Sequence, residues 1–273
     1  MTARRRGRWF LGILTHALAL TMFAPILWMI VTSFKTEVEA FTMPPSLLFT
    51  PTLQNWRIAL FETPFLDRLE STVVVAVGST ALTLLLGVPA AYGIAFQETR
   101  RSNALLLWMI STRMLPPIGV IVPLYVLFRD LQLLDSRFGL TLIFTTMNLP
   151  LVVWMMRSFF LDLPREVIEA TRMEGASFLQ ELRYVVLPMT LPGLSATALL
   201  CFIFAWNEFF FAFNLTVSQA APLSVHIASF KTSEGLFWAK MSAAATAAVL
   251  PVVLAGWATQ RALVRGLTMG AVH

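Results

Sequence analysis

The sequence predicts an all-α integral membrane protein with six transmembrane helices, and three observations carry that prediction. Hydrophobic residues make up 57% of the chain and charged residues 13%, against about 25% charged in a soluble domain. The apolar residues gather into blocks long enough to cross a bilayer, which takes roughly 20 residues of helix. The basic residues fall in the segments between those blocks and favour one side. A net charge of +5 in a soluble chain would suggest nucleic acid. Here the same residues set membrane topology, and nucleic acid is not an expected partner.

The first block, 9–33, follows Arg4, Arg5, Arg6 and Arg8. It resembles the start of a secretory signal, but its apolar stretch outruns a signal core of roughly 7–15 residues and no small-residue cleavage site follows. It reads as an uncleaved anchor. A longer polar segment, 35–70, carries Pro44, Pro45 and Pro51 as breakers, and the second block is 72–96. The third and fourth, 103–128 and 138–160, are separated by a short turn. The fifth, 191–215, follows the polar stretch 163–188, and a loop over 216–240 leads to the sixth, 241–263. Most blocks contain proline, among them Pro25, Pro89, Pro116, Pro117, Pro123, Pro150, Pro192 and Pro251. Each frees backbone groups that neighbours or water must satisfy.

Six spans put both termini on one side. Twelve Lys and Arg lie on that side, seven on the other, and Arg113 within a span. Positive residues concentrate in the cytoplasm, so both termini and the 163–188 stretch are expected there. The single cysteine, Cys201, lies in an apolar block and reads as a small buried hydrophobe. His16, His226 and His273 are scattered, and no metal site is expected.

The 163–188 stretch, LPREVIEATRMEGASFLQELRYVVLP, is patterned beyond the needs of a connector. Pro164 suits the first turn of a helix, and Glu166 complements the positive end of its dipole. Glu169 and Arg172, three apart, can pair on the wet face. Gly175 supplies a left-handed closing residue. Ser177 and Gln180 read as a capping box that opens a second helix, which Leu187 and Pro188 end.

On these residues the chain resembles the permeases of ABC importers. Glu169, Ala170, Thr171, Gly175, Val185, Leu187 and Pro188 match the spacing of their E-A-A-x3-G-x9-I-x-L-P signature, with Thr171 for the second alanine and Val185 for isoleucine. The resemblance implies a type I ABC importer permease fold, one transmembrane domain over 1–273. It also implies that loop 162–190 is the coupling helix that docks on a cytoplasmic ATPase, with Glu169, Ala170, Thr171, Gly175, Ala176, Leu187 and Pro188 at the contact. The segments 44–56 and 205–209 (Ala-Trp-Asn-Glu-Phe) look like the carbohydrate-uptake branch. The tail with Arg265, Gly266 and Gly270 is similar to that of the smaller membrane subunit in maltose-type importers, where it enters the ATPase dimer interface.

Charged and amide groups inside a span are costly and mark functional or protein-buried positions. Arg113, Asn148, Asn207 and Glu208 qualify, with Trp154 as a stacking surface for a sugar ring. For Asn207 and Glu208, lining the path and anchoring helix packing remain open alternatives, and a pair between Arg113 and Glu208 would lower the cost of both charges. The stretches 111–117 and 147–150 look similar to polyol importers.

The expected protein is a non-catalytic permease subunit of a bacterial plasma (inner) membrane importer for a sugar, sugar alcohol or sugar derivative, driven by alternating access. Its implied partners are a second permease, two cytoplasmic ATP-binding subunits, and a periplasmic or extracellular solute-binding protein. The chain carries no G-x-x-x-x-G-K-[ST] loop. ATP and magnesium therefore belong to the partner ATPase, and this chain is expected to bind no cofactor. The alternatives are an ion-coupled secondary transporter, or the same importer class with glycerol phosphate or an anionic sugar as cargo.

Overall fold

Long apolar stretches fold into long helices because a backbone in lipid must satisfy its own polar groups. The computed structural model describes residues 2–97, 101–232 and 235–269, with side chains at 11–97, 101–231 and 237–260. It is an all-α protein apart from a minimal antiparallel ladder that pairs Lys231–Thr232 with Gly235–Leu236. Among the described residues four helices are individually long and apolar enough to span a membrane, or up to six if each of two bent pairs counts as one span. The chain divides into two compact units: the residues up to Leu66 with His226–Leu250, and Asp67–Val225 with the chain from Pro251 onward.

In the first unit, helix α1 (Thr2–Ser33) turns most of its described apolar side chains outward, Met22 and Leu18 among them, as a lipid-facing helix does. Two short helices follow, α2 (Glu37–Ala40), which opens with a Thr36–Glu39 capping box, and α3 (Gln54–Arg57), which runs into a wide turn at Ile58–Glu62. The buried Asn55 amide donates to the Lys35 carbonyl at 2.6 Å, and the Trp56 indole N–H donates to Ser33 Oγ at 3.1 Å. These bonds pin the proline-rich 35–70 segment to the end of α1. The Glu37 carboxylate accepts the N–H groups of Ala239 and Lys240, both at 3.0 Å, and so caps the last helix, α14 (Trp238–Met269).

The second unit holds α4 (Phe65–Phe96), α5 (Ser102–Arg113), α6 (Pro117–Asp130), α7 (Arg137–Leu161), α8 (Arg165–Met173), α9 (Phe178–Glu181), α10 (Leu187–Met189), α11 (Leu191–Trp206), α12 (Phe210–Leu215) and the start of α13 (Leu223–Ala228). Its core gathers Val88, Tyr92, Val153, Met156, Phe160 and Val186. Helix α11 packs on α7 at Gly193, where a Cβ would stand 2.6 Å from Cδ1 of Phe159. Only a glycine admits that ring.

Two predicted blocks are not single helices. The 103–128 block breaks between α5 and α6, which meet at 91°. Pro116 and Pro117 are the cause: a proline disfavours helix in the residue before it and donates no backbone hydrogen bond. The 191–215 block breaks at 207–209 between α11 and α12, and α11 itself lies at 85° to the Phe178–Met189 segment. Helices α4 and α14 extend past the predicted 72–96 and 241–263.

Candidate functional site: the 162–190 loop and the polar groups of the membrane helices

The 162–190 loop is assembled by local rules. Pro164 occupies the N-cap of α8, one residue ahead of the first-turn place predicted for it, and Glu166 lies in the first turn. The helix closes through Glu174 N–H to the Ala170 carbonyl and Gly175 N–H to the Arg172 carbonyl, both at 3.0 Å. Gly175 has φ +80°, a left-handed backbone that L side chains rarely adopt. The reversal is completed by Ala176 N–H donating to the Thr171 carbonyl at 3.3 Å. The Ser177–Gln180 capping box then opens α9. Leu187 and Pro188 do not stop that helix. The chain passes through a wide turn at Leu182–Val186 into α10, where Pro188 is accommodated in the first turn, and bends ahead of α11.

Helix α8 buries Ile168 and turns Glu169, Ala170, Met173 and Gly175 outward, with Thr171, Ala176 and Leu187 half-buried and Pro188 exposed. Met173 is 88% exposed, and Leu179 and Tyr184 also stand free. The exposed face of α8 thus mixes the charged Arg165, Glu166 and Glu169 with the small Ala170 and the apolar Met173.

Arg172 does not pair with Glu169. Its Nε donates to Glu181 Oε2 at 3.0 Å, and its Nη2 donates to Glu181 Oε1 and to the Tyr92 hydroxyl, both at 3.2 Å. The Tyr92 hydroxyl in turn donates to Glu181 Oε1. The bond to Glu181, then that to Tyr92, pushes the Arg172 guanidinium above its usual pKa. Glu181 is 2% exposed, and a buried carboxylate in this setting commands the cation more strongly than an exposed Glu169 on the same helix face. Arg165, Glu169, Arg172 and Ile168 line a cavity of about 260 Å³ with Phe96 and Phe160.

The polar groups of the apolar helices are distributed differently from expectation. Arg113 and Glu208 form no pair. Arg113 Nη1 donates to the Met147 carbonyl at 3.4 Å, and the guanidinium lies 4.8 Å from the centroid of the Phe204 ring. Glu208 accepts from the N–H groups of Phe211 at 2.9 Å and Ala212 at 3.0 Å. It therefore caps α12, which satisfies a carboxylate without any cation. Asn207 ties its amide to the Ile203 carbonyl at 2.8 Å at the end of α11. Asn148 is buried in α7 beside Met147. Trp154 is exposed on α7. The structure thus sets the Arg113 guanidinium on the Met147 carbonyl, one residue before Asn148, while Asn207 and Glu208 bond to the backbone at the end of α11 and the start of α12. Of the predicted tail, Gly270 and His273 lie outside the described residues, and for Arg265 and Gly266 only the helical backbone of α14 is described.

Three groups went unnoticed in the sequence. Tyr92 and Glu181 form the cluster with Arg172. Asp135, in the turn between α6 and α7, accepts the N–H groups of Val217, Ser218, Gln219 and Ala220 at 2.9–3.1 Å. Partial burial pushes its carboxyl up, but those four donors outweigh it and hold the pKa down at about 2. Asp-Ser ahead of an apolar block, here Asp135-Ser136, reads locally as a helix start, so nothing nearby in sequence points to a long-range acceptor. Among the described residues no group of three or more His, Cys, Asp or Glu could hold a metal ion.

Comparison with known proteins adds to this geometry. The family model described as the binding-protein-dependent transport system inner membrane component matches residues 83–269. The probable ABC transporter permease protein y4oR of Sinorhizobium fredii is 36% identical over 93% of this chain and 92% of its own. The trehalose transport system permease protein SugB of Mycobacterium tuberculosis is 33% identical over 100% of this chain and 99% of its own. A chain in the crystal structure of a bacterial ABC transporter that imports the acidic polysaccharide alginate superposes with a TM-score of 0.76 over 96% of this chain and 98% of that one, at 23% identity.

Proposed function

This chain belongs to the binding-protein-dependent transport system inner membrane components, and from that premise we propose that it moves a sugar or sugar derivative inward by ATP-driven alternating access. It is a permease subunit of a sugar ABC importer, a multi-pass protein of the inner membrane and a transport subunit rather than an enzyme. Both termini and the 162–190 loop lie in the cytoplasm, a reading supported by twelve basic residues on their side against seven opposite. Two ATP-binding subunits dock on the loop and hydrolyse ATP with magnesium. A second permease completes the membrane unit, and an external solute-binding protein delivers the cargo. Membership of the family supports ATP rather than an ion gradient as the energy source.

The observation that carries the proposal is the outward face of α8, where Glu169, Ala170 and Met173 stand exposed ahead of the left-handed Gly175. That face has the size and chemistry to enter a cleft on a partner. Within the membrane the reading assigns Arg113 and Asn148 to the solute path. Asn148 is a buried amide, a group that can both donate to and accept from the hydroxyls of a polyhydroxy solute. Arg113 has no carboxylate partner among the described residues, and that favours a second reading in which the cargo is an anionic sugar or a glycerol phosphate.

Uptake by the full complex in lipid vesicles decides between them. With the binding protein and internal ATP present, a panel of neutral disaccharides, polyols and anionic sugars should yield ATP-dependent accumulation of one class. Accumulation that needs an ion gradient and no ATP would overturn the proposal.

A further inference from the structure

Glu181 is 2% exposed while the Arg172 side chain is 45% exposed, and burying one carboxylate of such a pair is often no more stabilising than a well-packed apolar group of the same volume. Its presence therefore needs a reason other than stability. The Arg172–Glu181–Tyr92 cluster joins three elements: α8, whose outer face is the dock; α9, on the far side of the Gly175 reversal; and the long membrane helix α4. Each member touches the other two, with Arg172 at 3.0–3.2 Å from both partners. Removing Arg172 or Tyr92 leaves a buried carboxylate short of a donor, and removing Glu181 leaves both donors without their acceptor, so the cluster holds or releases as a unit. The Tyr92 ring is itself fixed edge-on against Phe178, with centroids at 4.9 Å and an interplanar angle of 81°, and lies 4.9 Å from Phe96.

The opposite end of α4 is bolted as well. Thr72 Oγ1 accepts the N–H of Leu223 at 2.8 Å, and the Arg68 guanidinium donates to the Ser218 carbonyl. Arg137 donates to Glu70 at 2.6 Å and to Ser71 Oγ at 3.0 Å. Between Thr72 and Tyr92 the helix runs about 30 Å, at ~1.5 Å per residue. Its two ends are thus held by polar contacts to the coupling loop and to the 217–223 loop, and between them it packs through small residues, Ala76, Ser79 and Thr83 among them. Such a helix transmits a displacement along its length.

We propose that Tyr92 and Glu181 are positioning residues that lock the coupling loop to α4, so that movement of α8 reaches the 217–223 loop through this cluster and not through the backbone alone. The proposal rests on the reading of α8 as the ATPase dock. Its test uses the full complex in vesicles with the binding protein, comparing wild type, Tyr92→Phe, Glu181→Gln and the double variant. Solute imported per ATP hydrolysed is measured beside the yield of assembled complex. Tyr92→Phe keeps the ring and removes one hydroxyl. It should leave assembly intact and lower solute per ATP by about three- to ten-fold, the range of couplings carried by packed networks. The double variant should add little beyond either single one. A purely structural role would lower yield and hydrolysis together and leave the ratio alone. A wild-type ratio in an assembled Tyr92→Phe complex overturns the proposal, even if Glu181→Gln fails to fold. Wild type that imports nothing with ATP overturns the docking reading first, and the proposal with it.

Discussion

Replacing Asp135 with asparagine should loosen the loop that follows α12. The carboxylate accepts four consecutive backbone N–H groups at 2.9–3.1 Å, and its pKa stands at about 2 against an ordinary 3.8. At about 1.4 kcal/mol per unit this preference for the charged form sets a ceiling of roughly 2.5 kcal/mol. The side chain is only half-buried, and solvent screening reduces that to about 1–1.5 kcal/mol. In a chain of this size the melting temperature of the detergent-purified complex should fall by about 2–6 °C. Because the folded pKa is depressed, the contribution is complete above the unfolded value of 3.8 and is lost as pH falls toward about 2. The wild-type and Asp135→Asn melting curves should therefore separate at pH 6, lie closer by pH 3 and converge as pH approaches 2. Hydrogen exchange gives the local readout: the amides of Val217–Ala220 should lose protection in the variant. Equal melting temperatures at pH 6, together with unchanged exchange at those amides, would refute the assignment of Asp135 as the anchor of this loop.

Gly175→Val places a β-branched residue at φ +80°, where the left-handed backbone costs about 1–2 kcal/mol; the ATPase subunit should co-purify less well, and Gly175→Asn should be milder. Gly193→Val drives a side chain into the Phe159 ring and should cost about 1–3 kcal/mol, read as a lower melting temperature. Glu208→Ala removes the cap of α12 and should cost about 1 kcal/mol, whereas Glu208→Gln keeps one carbonyl acceptor, enough for either Phe211 or Ala212, and should melt between Glu208→Ala and wild type. If instead Glu208 served as a charge partner in the membrane, the two variants would be equally damaged.

The membrane class and the caps of the 162–190 loop were legible because both are local. Apolar blocks report spans by length alone, and Gly175, Ser177 and Gln180 act on residues a few positions away. The break at 114–116 was visible as Pro116-Pro117 but not as a bend, since a proline-containing helix such as α4 can also continue through Pro89. The break at 207–209 carries no proline, and Glu208 capping a following short helix competes with its appearance as an intramembrane charge. The partner of Arg172 was misread because helical spacing favours the acid one turn back, Glu169, while burial makes Glu181 the stronger acceptor. Tyr92 and Asp135 were out of reach for the same reason: their partners lie more than 80 residues along the chain, and single-sequence patterning holds no record of such contacts.

Site-directed crosslinking tests the docking claim most directly. Cys201 is the chain's one cysteine and is fully buried, so a new thiol reports with little background. Ala170→Cys on the outer face of α8, labelled with a short maleimide that carries a photoreactive diazirine, should crosslink to the ATPase subunit in the assembled complex on illumination, and Val122→Cys on the exposed face of α6, labelled alike, should not. An intact complex in which Ala170→Cys captures no ATPase subunit, or Val122→Cys captures it instead, would contradict the assignment of the 162–190 loop as the dock.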